Sequence, residues 1–490
     1  MRGRRVSRRA LLYGAPMAVG GAALAPGDPA VAAVAVAATT ASPRDHGAVG
    51  DGVTDDTVAV QACLASNLAV DFGGPESSYL ITATLIVDGS TPRVLTGRGA
   101  RIRAGAGVDL MRFRGAGHTV RGLVFDGAGQ STGLALIIEG SAPGSVVDGC
   151  TFTNVPACAV SIAPGAHRSK VTGCTMRYCG HGSVDSPWNC TVFVADADFC
   201  AVVDNDLLEC DWGVYFRGGQ ESPGIRYYTC QGNTITCASP APTIAQGISC
   251  RYGRDASLAG NTVVGFGDNC IDCWGCQRLS IAGNNTSGGK NGVFVGDAPT
   301  GNISITGNTF NVPRAGGVRV DSSTENALVI GVVVTGNMII GPGEYGIQVS
   351  KDKSAQTTGI TVADNDLQLN SVTPVGIRLT NIEASRINGN RVYRPQREGI
   401  VITGVDLVEV SGNLLQDASH PEPNRYNAVH VSGSNRVLLR DNTAYGSARH
   451  AIEIVGGTGM TVSGTRWRAL GTGGVQAPTT GNVLSDNVAL

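Results

Sequence analysis

Three carboxylates and three cations fall within one stretch of this chain: Asp272, Asp297 and Asp321, with Arg251, Lys290 and Arg319. Aromatic residues lie among them at Tyr215, Trp274 and Phe294, and Arg217 stands beside the first. Carboxylates serve as general acid, general base or cation ligand, a guanidinium pairs with a carboxylate, and an aromatic ring offers a flat face to a sugar ring. These side chains work together only if the fold brings them to one surface.

Local patterning supplies such a surface. Side chains alternate along a strand, so Val214/Phe216, Ile248/Cys250, Ile271/Cys273, Val293/Val295, Val318/Val320, Ile347/Val349 and Ile377/Leu379 form an inward set. The outward set is then Tyr215/Arg217, Ser249/Arg251, Asp272/Trp274, Phe294, Arg319/Asp321, Gln348/Ser350 and Arg378/Thr380, continuing to Val401, His430 and Glu453. Lys290 precedes the Phe294 strand and Asp297 follows it.

Stacking in register requires a repeat, and one is present. Gly-Asn or Asp-Asn recurs at Asn205, Asn233, Asn261, Asn284, Asn308, Asn337, Asn365, Asn390, Asn413 and Asn442, in steps of 23 to 29 residues, and again at Asn487. Periods in this range mark stacked structural units. A coil of about 25 residues holds three short strands, and the next coil stacks about 4.8 Å away. Asn suits the recurrent bend by tolerating left-handed dihedrals and by bonding to its own kind one coil on. Cys150 and Cys174 hold the same place earlier, and Leu123 precedes them. The pattern predicts an all-β parallel β-helix of about 13 coils.

The mature N-terminus reads Asp45-His46-Gly47-Ala48-Val49-Gly50-Asp51-Gly52-Val53-Thr54-Asp55-Asp56, followed by an apolar helical stretch. This segment resembles the opening of the pectate-lyase superfamily, the single-stranded right-handed β-helix proteins. The resemblance implies a right-handed solenoid with an N-terminal capping α-helix in segment 45–66. Thr54 or Asp55 is expected to N-cap that helix, with Val58, Ala62 and Ala65 covering the first coil. A shorter stretch, Asn269-Cys270-Ile271-Asp272-Cys273-Trp274-Gly275-Cys276, is similar to a strand of the inulin fructotransferases, β-helix enzymes that cut fructans by intramolecular transfer. In them an acidic residue holds the outward place of Asp272.

Residues 1–40 read as a twin-arginine-type export signal: Arg4-Arg5, then Ser7-Arg8-Arg9-Ala10-Leu11-Leu12, a small-residue apolar run and Ala35-Val36-Ala37. The expectation is a secreted protein whose single β-helix domain spans 41–490. Formal net charge is −2 with 16% charged residues, which argues against a nucleic-acid surface or a basic membrane helix. All but one of the 14 cysteines lie between Cys150 and Cys276, Cys63 being the exception. Export predicts buried thiols mixed with a few disulfides, and Cys270, Cys273 and Cys276 are read as core residues rather than a zinc site.

A row of polar residues on stacked coils suits an extended polymer, and two chemistries compete. β-Elimination on a uronic-acid glycan needs a base, here Arg251, Arg319 or Lys290, and a partner for the uronate. That partner is Asp272, or Ca²⁺ held by Asp297 and Asp321. Hydrolysis or transglycosylation needs two carboxylates: Asp272 with Asp297 or Asp321, or Asp196 with Asp198. Elimination is the first expectation, with Asp272, Arg251 and Arg319 catalytic and Tyr215, Arg217, Trp274, Phe294 and Lys290 binding substrate. A non-catalytic glycan binder stands as the other class. Gly180-His181-Gly182 lacks the companion motifs of polygalacturonases, and no Gly-rich loop suggests a nucleotide cofactor.

Overall fold

Short β-branched runs separated by Gly-Asn bends leave each segment able to satisfy its backbone only by pairing with a neighbour one repeat away. In the computed structural model they do so throughout, giving a parallel β-solenoid of about 16 turns with one helix near the N-terminus. Residues 40–130, 132–181, 190–219, 224–239, 241–296, 299–321, 327–351, 356–370, 372–420, 422–478 and 481–490 are described. The export segment and Asp297 lie outside them. Among the described residues the strands collect into an 18-stranded and a 33-stranded sheet, and the pairs between coils are parallel. Among the described residues no helix is long and apolar enough to cross a membrane.

The Asn repeat is a continuous hydrogen-bonded ladder. Asn205 Nδ2 donates to Asn233 Oδ1 at 2.9 Å, and the chain of amides passes from coil to coil as far as Asn442. Each of these asparagines is fully buried. They do not take the left-handed dihedrals expected of them. The residue before each asparagine does so where it is Gly or Asp, as at Gly232 (φ 66°) and Asp204 (φ 54°). Such a division of labour is sensible, because Gly carries the strained dihedral without a Cβ clash while Asn is left to make the ladder. The count of 13 coils falls short because other turns fill the ladder position with Ser77, Ala100 or Thr465, which carry no Asn signature.

The helix, α1 (Thr57–Ser66), caps the first coil as expected, but its buried face is Val60, Cys63 and Leu64. Val58 is 83% exposed, and Ala62 and Ala65 face solvent. Its N-cap is Asp56, whose carboxylate accepts from the backbone N–H groups of Val49 and Gly50 at 2.6 and 3.0 Å, not from the helix. Asp55 accepts from Thr57 N at 3.0 Å. One carboxylate pins the preceding turn and the other the first helical turn, which sets the helix one to two residues later than expected.

All 14 cysteines are free thiols, so the expected disulfides do not form. Cys250 and Cys273 pair on neighbouring coils and stack in the core as small hydrophobes. The sulfurs of Cys158 and Cys190 lie 3.8 Å apart.

Candidate active site

Seven strands of the larger sheet build the site: β1 (Val192–Ala195), β2 (Val214–Arg217), β3 (Ile248–Arg251), β4 (Ile271–Trp274), β5 (Asn291–Gly296), β6 (Gly316–Asp321) and β7 (Tyr345–Ser350). Their register matches the alternation in the sequence. One outward column runs Phe193, Tyr215, Ser249, Asp272, Phe294, Arg319, Gln348. A second, two residues on, runs Arg217, Arg251, Trp274, Gly296, Asp321. The inward partners Ile248, Ile271, Val293 and Val318 are fully buried.

On β3 to β6 these columns line a cleft of about 190 Å³ that contains Arg251, Asp272, Trp274, Lys290, Phe294 and Arg319, together with Asp321. Tyr215 and Arg217 are not part of it. Tyr215 is 7% exposed and packs in a satellite cluster with Cys158, Cys190, Phe193 and Ala195, while Arg217 stays in solvent. Burial pushes the Tyr215 phenol up, opposed by the positive charges of Arg251 and Arg217.

The aromatic rings are not the bare platform the sequence suggests. Arg251 lies over Trp274 at 4.7 Å and over Tyr215 at 5.7 Å, and Arg319 lies over Phe294 at 5.9 Å. Ring quadrupoles attract guanidinium groups, so these rings hold the nearest cations. Arg319 also donates Nε to Asp321 Oδ2 at 3.1 Å. Asp321 therefore faces a guanidinium rather than a cation seat, and among the described residues no cluster of three His, Cys, Asp or Glu suits a metal ion. Of the two residues expected to hold Ca²⁺, Asp297 lies outside the described residues and Asp321 is engaged by Arg319. Among the described residues Arg251 and Lys290 have no ion pair.

A third column, two residues ahead of the first inward position, escaped the alternation argument. It presents Gln246, Asn269 and Asn291 where β3 to β5 begin, and Asp268 beside Asn269. Asn269 Nδ2 donates to Asp272 Oδ1 at 2.7 Å and to Asp268 Oδ2 at 3.2 Å. Because both bonds share one nitrogen, those two oxygens lie no further apart than the summed lengths, 5.9 Å. Gln246 Nε2 holds the same Asp268 oxygen at 3.1 Å.

The amide orientations follow from these carboxylates. Carboxylates take donors, so the NH₂ of Asn269 must face them and its Oδ1 must face away. Asn291 Nδ2 donates to that Oδ1 at 2.8 Å, and Asn291 Oδ1 in turn accepts from Tyr345 OH at 2.8 Å. Tyr345 lies two coils beyond Asn291, with Gly316 between them. A Cβ on Gly316 would collide with the tyrosine ring, so glycine there opens the path. Burial pushes the Tyr345 phenol up to about 12, which keeps it a donor. The signal that would have found this chain is the polar run Gln246, Asn269, Asn291 at one structural position on three successive coils.

Asp196 and Asp198 do not share a face. Asp196 has φ 39° and forms the corner, accepting from Gly219 N, whereas Asp198 is ion-paired with Arg226 at 2.9 Å. The left-handed bend between them breaks the strand alternation. Cys270, Cys273 and Cys276 are all fully buried in the core.

The profile described as "Right handed beta helix region" matches residues 192–367 and 292–466, more than half of the chain. The protein belongs to the right-handed parallel β-helix family. Among solved structures it is similar to the tailspike protein gp49 from Pseudomonas phage LKA1, with a TM-score of 0.51 at 10% identity, over 76% of this chain and 83% of that one. It is also similar to the A-module of the mannuronan C-5 epimerase AlgE4 of Azotobacter vinelandii, at 14% identity and TM-score 0.40, over 90% and 99%. The surface protein and adhesin PfbA of Streptococcus pneumoniae matches at 13% identity and TM-score 0.40, over 85% and 100%. At 10% identity the likeness to the tailspike protein is one of fold.

Proposed function

We propose that this protein cleaves an extracellular polysaccharide, with Asp268 and Asp272 as the paired carboxylates and Arg251 and Lys290 as the cations that hold the chain in the cleft. The observation that carries the reading is the shared Asn269 amide, which keeps two carboxylate oxygens within 5.9 Å in a polar cleft. Carboxyl groups about 5–5.5 Å apart suit double displacement through a glycosyl-enzyme intermediate, and wider pairs of about 6.5–9.5 Å suit direct attack by water. The upper bound favours the first. The covalent intermediate is then released by water, or by a hydroxyl of the same chain in an intramolecular transfer.

One carboxyl gives its proton to the leaving glycosidic oxygen while the other attacks the anomeric carbon. Asp268 is half-buried and open to water, and Asp272 is 1% exposed beneath it. Asp268 is therefore the group placed to exchange protons with solvent, and Asp272 the group placed to attack. The N-terminal Arg-Arg pattern supports action outside the cytoplasm.

β-Elimination on a uronate is the second reading, and Lys290 is what favours it. It stands exposed at the rim of the cleft, next to Asp268, with no ion pair among the described residues. Arg251 and Arg319 suit neutralising a uronate better than abstracting its proton, because a guanidinium does not give up its proton in proteins. A panel of polygalacturonate, alginate, inulin and α-1,3-glucan separates the two. New reducing ends or a cyclic disaccharide without ultraviolet absorbance mark carboxylate chemistry, and an unsaturated uronide chromophore marks elimination. Absence of any product from all four would end both.

A further inference from the structure

The column of Gln246, Asn269 and Asn291 passes through Gly316, Tyr345 and Val375 and becomes polar again three coils beyond β6. The strands are β8 (Val375–Thr380), β9 (Ile400–Thr403), β10 (Val429–Arg440) and β11 (His450–Thr458). Where the first cleft has Gln246, Asn269 and Asn291, these coils have Glu398, Asn427 and His450. In the next column Arg378, Val401, His430 and Glu453 follow one another in register.

These groups touch. Glu453 Oε2 accepts from Asn427 Nδ2 at 2.7 Å and contacts His430 Nδ1 at 3.0 Å, and Arg449 lies 3.9 Å from its other oxygen. Burial pushes the Glu398 carboxyl up, and the positive charges of His430, Arg397 and Arg378 oppose that shift. Asn427 again hands its NH₂ to a carboxylate, as Asn269 does in the first cleft. The difference lies at the other end of the amide. Asn269 Oδ1 is taken by Asn291, but Asn427 Oδ1 is buried without a hydrogen-bond partner among the described residues, in a side chain 4% exposed. The next coil offers His450, whose Nε2 is 3.3 Å from Thr472 instead. A buried carbonyl left without a donor is costly, so a ligand donor is worth having there.

We infer that Glu398, Asn427, His430 and Glu453 form a second saccharide-binding site, which holds a further stretch of the glycan that occupies the first cleft. The inference rests on the glycan reading of that cleft. A sugar hydroxyl supplies the missing donor to Asn427 Oδ1, and its neighbours meet the Glu398 carboxyl and the Arg378 guanidinium. The sites belong to one chain of sugars because the sheet between them is continuous: β7 and β8 present Gln348, Ser350 and Thr380 outward in the same two columns. Three coil steps separate β6 from β9, about 14 Å at 4.8 Å per step. The enzyme therefore favours long chains over short fragments.

The test reads binding apart from catalysis, in an Asp272→Asn background. Each of polygalacturonate, alginate, inulin and α-1,3-glucan is cast in a gel for affinity electrophoresis, and the trisaccharide of each is titrated by calorimetry. Adding Asn427→Ala weakens binding to the retarding polymer about three- to tenfold, the scale of one neutral hydrogen bond or slightly more. Trisaccharide affinity, which reads the first cleft alone, stays the same. Glu398→Ala gives the same split and serves if Asn427→Ala fails to fold. Polymer binding unaffected by either variant overturns the second site, as does an equal loss for polymer and trisaccharide. If a polymer binds but the unmutated enzyme releases no product, the cleavage proposal fails alone and the second site is judged on these affinities. If no polymer binds, both fall.

Discussion

Tyr345→Phe removes one oxygen atom three coils away from Asp272, at the far end of the amide chain that aims both carboxylates. The lost hydroxyl is the donor to Asn291 Oδ1 at 2.8 Å, in a side chain 3% exposed, beside an asparagine 1% exposed. Water does not readily replace it there. A buried acceptor left unmade costs about 1–3 kcal/mol, against about 0.5–1.5 kcal/mol for a typical hydrogen bond measured net. Asn291 then turns to recover a partner, and Asn269, whose Oδ1 it held, loses the restraint that aims its NH₂ at Asp268 and Asp272. If that penalty appears in the reaction, at 1.36 kcal/mol per decade it is about 5- to 150-fold in kcat, with little change in KM. Gly316→Ala should reproduce the loss without touching a polar atom, because its methyl group displaces the Tyr345 ring. The φ of Gly316 lies outside the left-handed region, so backbone strain does not confuse the result. The assay is steady-state cleavage of whichever glycan in the panel is turned over, in a double-mutant cycle with Asn291→Ala. Members of one chain are strongly non-additive, so Tyr345→Phe should add almost nothing once Asn291 is gone. Full activity in Tyr345→Phe, or strict additivity with Asn291→Ala, would refute the relay.

Other perturbations have equally definite outcomes. Asp272→Asn and Asp268→Asn should each lower kcat by about two orders of magnitude or more with unchanged thermal unfolding, the scale of losing a catalytic acid or base; wild-type turnover in either removes the pair. Asn308→Ala should destabilise the solenoid by about 3 kcal/mol in denaturant titration, because it strips bonds to Asn284, Asn337 and Ile281 from a fully buried ladder; a loss below about 0.5 kcal/mol would show that the ladder contributes little. His181 titrates above its ordinary value because it is hydrogen-bonded to Asp211, with burial opposing. Its folded-state pKa is raised, so its contribution to stability is complete below the unfolded value near 6.5 and fades as pH rises through the folded value. Asp211→Asn should move the imidazole resonance midpoint downward in an NMR titration and flatten stability against pH in that window; an unmoved midpoint would discard the assignment.

Much of the outward face was legible because strand alternation and coil register are both one-dimensional properties. Once Val318 and Val320 point inward, Arg319 and Asp321 have to point outward, and the 23- to 29-residue repeat then sets which residues are neighbours. Asp272, Phe294 and Arg319 could therefore be placed side by side from spacing alone. The same logic failed where the chain bends. At Asp196 a left-handed residue ends the alternation and separates it from Asp198, and at α1 the buried face shifted because Asp56 turned back to hold Val49 and Gly50.

What the order of residues could not settle is which polar atoms meet. Stacking gives each side chain a column, but side chains reach in three dimensions by rotamers that depend on their neighbours. Arg251 and Arg319 folded down over Trp274 and Phe294 instead of leaving the rings open. Tyr345 reached past Gly316 to Asn291, across 54 residues of chain, and through it to Asn269 and the two aspartates. The repeat alone dictates a scaffold and a list of outward side chains. Only the folded molecule joins a tyrosine, two asparagines and two carboxylates into one polarised chain, because hydrogen bonds are decided by tenths of an ångström and by the exclusion of water.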